Sequence, residues 1–168
     1  MATDILRGRL LLWMTAFVAV AAVGLPPWRP FGPPGVAIVV GTCVGLALFI
    51  ALAGTPRLHR SQLHVALVRS VYLVVAAAFE EVLWRGLALG ALLPRIGPAA
   101  ALATTGAGFA LWHVRSLGRR SALHVVTGCS FGAAFLYGGL AAAIPAHAVY
   151  NVFVDLAVQA ERDWVGES

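Results

Sequence analysis

The sequence has little charge and long apolar runs. Only 11% of its 168 residues are charged, whereas 60% are hydrophobic, and the mean hydropathy is +0.86. A soluble domain typically has about 45–50% apolar and about 25% charged residues. The composition therefore argues against an ordinary soluble protein and favours a membrane protein.

Cysteine and lysine are also scarce. The two cysteines, Cys43 and Cys129, lack the spacing of a disulfide framework or a zinc knuckle, and we expect both to be small buried side chains. All 12 basic residues are arginine, mostly in short segments between apolar runs. That distribution favours membrane topology over nucleic-acid binding. The absence of lysine beside many Ala, Gly, Val and Arg residues is consistent with a bacterial source.

Six apolar runs predict membrane passes. A helix of about 20 residues crosses a hydrocarbon core of about 30 Å at about 1.5 Å per residue. We therefore predict an all-α, polytopic transmembrane helical bundle of about six helices. The first run resembles a signal peptide but lacks a clean cleavage site, and we expect it to be retained. The passes cover approximately residues 10–24, 35–53, 64–93, 99–113, 122–137 and 140–160.

The arginines predict the orientation of this bundle, because cytoplasmic loops carry an excess of arginine. We predict a multi-pass protein of the inner (cytoplasmic) membrane with its N-terminus in the cytoplasm. This orientation places Arg7, Arg9, Arg57, Arg60, Arg115, Arg119 and Arg120 inside, against Arg29 and Arg95 outside.

Two adjacent glutamates and an arginine interrupt the third apolar run. A charge near the membrane centre costs about 2.5–3.5 kcal/mol on insertion scales, so it indicates a functional site. On a helix Glu81 and Arg85 share a face, whereas Glu80 is rotated by about 100°. We expect Glu81 to pair with Arg85, which leaves Glu80 available. The alternative is that both glutamates only balance the arginine, although one would be enough.

His113 ends the fourth apolar run, and beside Arg115 it is typical of an interfacial histidine. The predicted depth of His113 in the membrane favours a position near Glu80 instead. The clearest turn in the sequence is centred near Ile96, between two prolines. Glu80 lies sixteen residues before Ile96 and His113 seventeen after it. Two antiparallel helices would therefore bring Glu80 and His113 to a similar level.

The sixth run carries His147 and Asn151, which share one helical face at i and i+4. Asp155 continues that stripe. The alternative for His147 is a structural hydrogen bond to a neighbouring helix. The remaining histidines lie near predicted helix boundaries without such partners, and we interpret them as interfacial. They are His59, His64 and His124.

These side chains are suited to hydrolysis of an amide bond. A carboxylate and a histidine in a dry cavity can polarise water, and a second histidine with an asparagine can donate hydrogen bonds to a developing oxyanion. The GxSxG and HExxH motifs are absent, and the cysteines have no nearby histidine. The sequence therefore argues against serine, cysteine and standard zincin mechanisms.

The same residues resemble the motifs of the CAAX-protease and bacteriocin-processing (CPBP) family of intramembrane endopeptidases, also called the ABI family. The family pattern is EExxxR, then FxxxH, then HxxxN or HxxxD on successive core helices. All three motifs occur here in that order, and the resemblance covers about residues 64–160. The matching residues are Glu80-Glu81 with Arg85, Phe109 with His113, and His147 with Asn151.

The resemblance implies catalytic roles for four residues and supporting roles for two. Glu80 is expected to be the general base that activates water together with His113. His147 and Asn151 are expected to stabilise the oxyanion. The supporting residues are Glu81 and Arg85.

The resemblance leaves the cofactor open. Glu80, His113 and His147 could form a Glu/His/His zinc site, or the glutamate could act on water directly. We assume no cofactor and keep zinc as the alternative.

The resemblance also divides the chain and implies its partners. We expect two non-catalytic transmembrane helices in residues 1–62, a catalytic helical core in 63–160, and a polar tail in 161–168. The expected partners are the lipid bilayer and a membrane-associated protein or peptide substrate, with no nucleic acid. The chain is shorter than the prenyl-protein proteases, so we expect it to cut peptides, membrane-anchored tails or C-terminal sorting signals.

Two other functions remain open from the residues. The first is a non-catalytic immunity or scaffold protein of the same fold. The second is a small transporter or proton relay, because buried Glu and His side chains also move protons. No inverted repeat supports transport.

Overall fold

The computed structural model describes residues 32–53 and 63–166. Every element in these ranges is helical and none is a strand, which confirms the predicted all-α class. The helices are α1 (Pro34–Ala53), α2 (Leu63–Glu81), a π-helix (Val82–Leu89), α3 (Gly90–Leu117), a 3₁₀ helix (Gly118–Ala122), α4 (Leu123–Gly138) and α5 (Leu140–Gly166).

Three helical segments in the described ranges are long and apolar enough to cross a membrane. They are Pro34–Ala53, Arg69–Gly138 and Leu140–Gln159, and the middle one has 70 residues. One upright pass needs only about 20 residues. Positive φ angles at Gly97 and Gly118 interrupt the long segment. A multi-pass membrane protein is supported, whereas the number of about six passes stays a prediction. The predicted first pass and the segment with Arg57 and Arg60 lie outside the described residues.

The chain turns at Gly97, one residue from the predicted centre of the turn. Gly97 has φ 75° and ψ 166° inside the otherwise helical Gly90–Leu117, and Pro94 and Pro98 flank it closely. Only glycine adopts such a backbone conformation readily. This residue therefore bends α3 back along the helix that precedes it.

The π-helix was not predicted from the sequence. It begins directly after Glu81, and the N–H of Gly90 donates to the carbonyl of Arg85, five residues earlier. Short π segments within helices are frequent at functional sites. Because the π-helix is wider than an α-helix, it changes the direction of side chains after Glu81 without ending the helix.

Helix α1 packs closely against α5 through two glycines. A Cβ atom on Gly41 would lie 2.1 Å from the carbonyl oxygen of Ala142, and one on Gly45 would lie 2.3 Å from that of Ala146. Small residues of this kind allow two helices in a membrane to approach at backbone distance. Ala146 precedes His147, so α1 supports the helix that carries this histidine.

The expected burial of both cysteines is wrong for Cys43. Cys43 is exposed, Cys129 is partly buried, and both are free. The Cys129 thiol donates to the carbonyl of Leu102 at 3.6 Å. On a helix that faces lipid, an apolar side chain gains nothing from burial inside the protein, which accounts for the position of Cys43.

Candidate active site

Glu81, Arg85 and His147 form a buried network. The Arg85 Nη1 atom donates to Glu81 Oε1 at 2.9 Å, and the Nδ1 atom of His147 bonds to the same oxygen at 2.8 Å. A carboxylate oxygen accepts, so the His147 Nδ1 atom carries the proton. The three residues are 0%, 1% and 3% exposed. The predicted pairing of Glu81 with Arg85 is confirmed. The bond from His147 to Glu81 is a hydrogen bond to a neighbouring helix, the alternative given for this histidine, although its partner was not predicted.

Arg85 also connects this network to α3 and α4. Its Nη2 atom donates to the carbonyl oxygen of Gly128 at 2.8 Å. The guanidinium carbon lies 4.8 Å from the ring centroid of Phe109 and 5.6 Å from that of Phe131. These are cation–π distances, and such contacts are strongest where water is excluded. The arginine therefore holds three helical segments together at the buried side of the cluster.

Glu80 faces two imidazole rings. Its Oε2 atom lies 4.0 Å from the Nε2 atom of His113 and 3.8 Å from that of His147. The predicted approach of Glu80 and His113 is thus present in the structure. Both distances are longer than a direct hydrogen bond, and a contact of this length is typical of groups that a water molecule can bridge.

A backbone contact fixes the tautomer of His113. Its Nδ1 atom lies 2.8 Å from the carbonyl oxygen of Phe109. A carbonyl only accepts, so Nδ1 carries the hydrogen and the neutral ring has its lone pair on Nε2. The basic nitrogen of His113 therefore points toward Glu80.

The two carboxylates differ in exposure. The side chains of Glu80 and His113 are each 12% exposed, whereas Glu81 and Arg85 are 0% and 1% exposed. Glu80 and His113 thus lie at the accessible edge of the cluster. Any water or peptide that reaches the cluster meets them before it meets Glu81.

Asn151 lies one turn after His147 on α5 and is partly exposed. Its amide has no hydrogen-bond partner within the described ranges, so it can donate to a bound molecule. Asp155, the next residue of the predicted stripe, belongs to a different contact. It accepts from Arg69 Nη2 at 2.9 Å and from Gln159, away from the histidines.

His124 contacts the cluster, so the expectation that it has no partner there is wrong, whereas its interfacial position stays a prediction. Its ring centroid lies 4.5 Å from that of His113 and 5.7 Å from that of Phe109. The break at Gly118 lies between the two histidines, five residues after His113 and six before His124. The depth argument that joined Glu80 to His113 could have found this pair. The side chains of His59 and His64 lie outside the described part of the structure.

The three residues considered for zinc do not fit a zinc ion in this arrangement. In a tetrahedral site with ligand distances of about 2.0–2.1 Å, two ligand atoms lie roughly 3.4 Å apart. The separations here are 3.8 and 4.0 Å, and no three His, Cys, Asp or Glu side chains in the described ranges form a metal ligand set.

The fold and the cluster define a multi-pass membrane protein with paired carboxylate and imidazole groups among its helices. A family model described as Type II CAAX prenyl endopeptidase Rce1-like matches residues 62–153. The match covers more than half of the chain, and the chain belongs to this family. Family membership confirms the resemblance drawn from the three motifs and supports a CAAX-type intramembrane protease in general. No curated protein and no solved structure matches the chain.

Proposed function

We propose that this chain is an intramembrane endopeptidase that hydrolyses a peptide bond in a membrane-associated protein or peptide. One observation carries the proposal. The Oε2 atom of Glu80 lies 3.8 and 4.0 Å from the Nε2 atoms of two histidines from other helices. A carboxylate and a neutral imidazole that face each other at this distance can hold and deprotonate one water molecule.

The first step is attack by water. The water donates one hydrogen bond to Glu80 and one to the lone pair of His113 Nε2. As its oxygen bonds to the carbonyl carbon of the peptide, the carboxylate of Glu80 takes a proton. The low exposure of both side chains strengthens this interaction, because bulk water competes little for the same groups.

Asn151 and His147 stabilise the oxyanion that forms when water attacks the peptide carbonyl. Asn151 can donate from its amide, and His147 can donate from Nε2 when the ring carries both protons. Donors that are already placed where negative charge develops are worth roughly 10²–10³ in kcat for each donor.

The last step releases the amine. The tetrahedral intermediate collapses, the carbon–nitrogen bond breaks, and protonated Glu80 returns its proton to the leaving nitrogen. The carboxylate is thereby regenerated, and the water is divided between the new carboxyl group and the amine. Glu81 and Arg85 take no part in these transfers, since they hold His147 and the surrounding helices in place.

The family name gives a class of substrate with which to begin. A peptide that ends in S-farnesylcysteine and three further residues is a CAAX prenyl substrate, and its lipid would lie among the apolar helices. The same peptide with S-methylcysteine separates a need for the prenyl group from cleavage of peptides in general. Cleavage of both peptides would show that the prenyl group is not required, and cleavage of the S-farnesylated peptide alone would show that it is.

The test in cells compares protein termini. Membrane and secreted fractions are analysed from cells with the wild-type chain and from cells with Glu80→Gln at equal abundance. We expect termini that occur only with the wild type, because glutamine cannot take a proton from water. Asp155→Asn is the matched control, since it removes a carboxylate outside the cluster and should leave those termini unchanged. Identical termini for wild type and Glu80→Gln, where the gene is needed, would favour the non-catalytic scaffold instead.

A further inference from the structure

We propose that His124 is a positioning residue that holds the ring of His113 in the orientation in which Nε2 faces Glu80. This proposal rests on the proposed function, because that function gives His113 its role. His124 lies outside the three family motifs, and its ring contacts those of His113 and Phe109.

The hydrogen bond of His113 does not fix its ring alone. The bond from Nδ1 to the Phe109 carbonyl, at 2.8 Å, restrains one atom of the ring. The torsion between Cβ and the imidazole ring of a histidine is broad, with no sharp staggered minima. Contacts on the faces of the ring therefore add to the restraint on the direction of Nε2.

His124 supplies a further restraint, on the face of the ring. Its ring lies 4.5 Å from that of His113 with an interplanar angle of 33°, so it covers a face of the imidazole. Phe109 contacts His113 at 4.6 Å with an angle of 57°. The same phenylalanine stacks on His124 at 5.7 Å and 27°. The three rings thus touch one another, and His113 cannot rotate without displacing one of them.

Hydrogen bonding at Nδ1 does not account for the position of His124. This nitrogen is buried and has no partner within the described ranges. An unpaired buried polar atom is unfavourable, and a phenyl ring in the same place would avoid it. The contacts of its ring with His113 and Phe109 account for the position of His124 instead. If this is so, phenylalanine can replace His124.

The experiment compares four forms of the full-length chain in lipid nanodiscs: wild type, His124→Ala, His124→Phe and Leu123→Ala. The first measurement is the imidazole ¹⁵N spectrum of His113, which requires no substrate. We expect one tautomer with hydrogen on Nδ1 in the wild type and averaged or broadened signals in His124→Ala. His124→Phe should restore the wild-type signals, and Leu123→Ala, an exposed neighbour on the same helix, should not change them.

The second measurement is the kinetics of cleavage of the S-farnesylated peptide and its S-methyl counterpart. We expect His124→Ala to lower kcat at least tenfold with KM within twofold of the wild type, and His124→Phe to recover most of the loss. Unchanged His113 signals in His124→Ala would overturn the proposal, as would a His124→Phe form that behaves like His124→Ala. If the wild type cleaves neither peptide, the proposed function is weakened, while the spectrum still decides the position of His113.

Discussion

The cluster has two sides, one around Glu81 and one around Glu80. They differ in burial and in hydrogen bonding, although the two glutamates are adjacent in the sequence. On one side Glu81 is fully buried and bonded to Arg85 and His147. On the other side Glu80 is 12% exposed and stands 3.8 and 4.0 Å from two imidazole nitrogens. The Oε1 atom of Glu81 accepts bonds from two protein side chains, its Oε2 atom has no partner in the described ranges, and Glu80 faces its two histidines at longer distances.

This difference shows how a helix separates two identical side chains. Successive residues are rotated by about 100°, so Glu81 points toward Arg85 one turn later while Glu80 points toward α3 and α5. A buried charge is stable only if it is paired and hydrogen-bonded, and Glu81 meets this requirement through its Oε1 atom, which is paired with Arg85 and bonded to His147. A general base needs a free lone pair near the reacting atom, which Glu80 retains.

The largest effect is expected when the buried side is broken. Glu81→Gln removes the negative charge that compensates Arg85, and removing one partner of a buried pair costs about 3–5 kcal/mol. We expect the thermal midpoint in detergent to fall strongly, whereas Glu80→Gln should leave it nearly unchanged. Equal midpoints for the two variants would show that the two sides are energetically alike and that the division is wrong.

A smaller effect is expected from the oxyanion side. Asn151→Ala removes one donor without disturbing the bonds of Glu81 or Arg85. We expect kcat to fall roughly 10²–10³-fold, the usual loss for one oxyanion donor, with an unchanged thermal midpoint. Asp155→Asn, four residues later on α5, is the control and should keep kcat. A wild-type kcat in Asn151→Ala would remove this residue from the proposed site.

A third change should disturb both sides together. Gly45→Val places side-chain atoms where the Ala146 carbonyl lies, because even a Cβ at Gly45 would be 2.3 Å from that oxygen. Overpacking of this kind typically costs about 1–3 kcal/mol. We expect a lower midpoint and a reduced kcat, since α5 must move and carries His147 with it. Gly35→Val, where a Cβ meets nothing within 4 Å, is the matched control.

Much of this arrangement could be predicted from the sequence because it depends on helical periodicity and depth. The spacing of Glu81 and Arg85 predicted their ion pair, and the turn near Ile96 predicted the approach of Glu80 to His113. The hydrophobic runs also predicted α1 within one residue of its start. These features follow from local geometry, which the order of residues contains.

The remaining features depend on contacts between distant residues. The bond from His147 to Glu81 joins two residues that are 66 positions apart in the sequence. No periodicity within either helix predicts it. The pattern of apolar residues does not predict the π-helix after Glu81. His124 was predicted to have no partner because it lies near a helix boundary, whereas the turn at Gly118 brings its ring against that of His113. The predicted roles of Glu80, His113, His147 and Asn151 stay predictions.

The most direct test of the central claim measures cleavage and stability on the same preparation of Glu80→Gln. Purified wild type and variant are incubated in nanodiscs with the S-farnesylated peptide and with peptides that span any site found by the comparison of termini. We predict that the variant loses cleavage by about 10²–10⁴-fold and keeps the thermal midpoint of the wild type. Cleavage by Glu80→Gln at the wild-type rate would contradict the assignment of Glu80 as the general base.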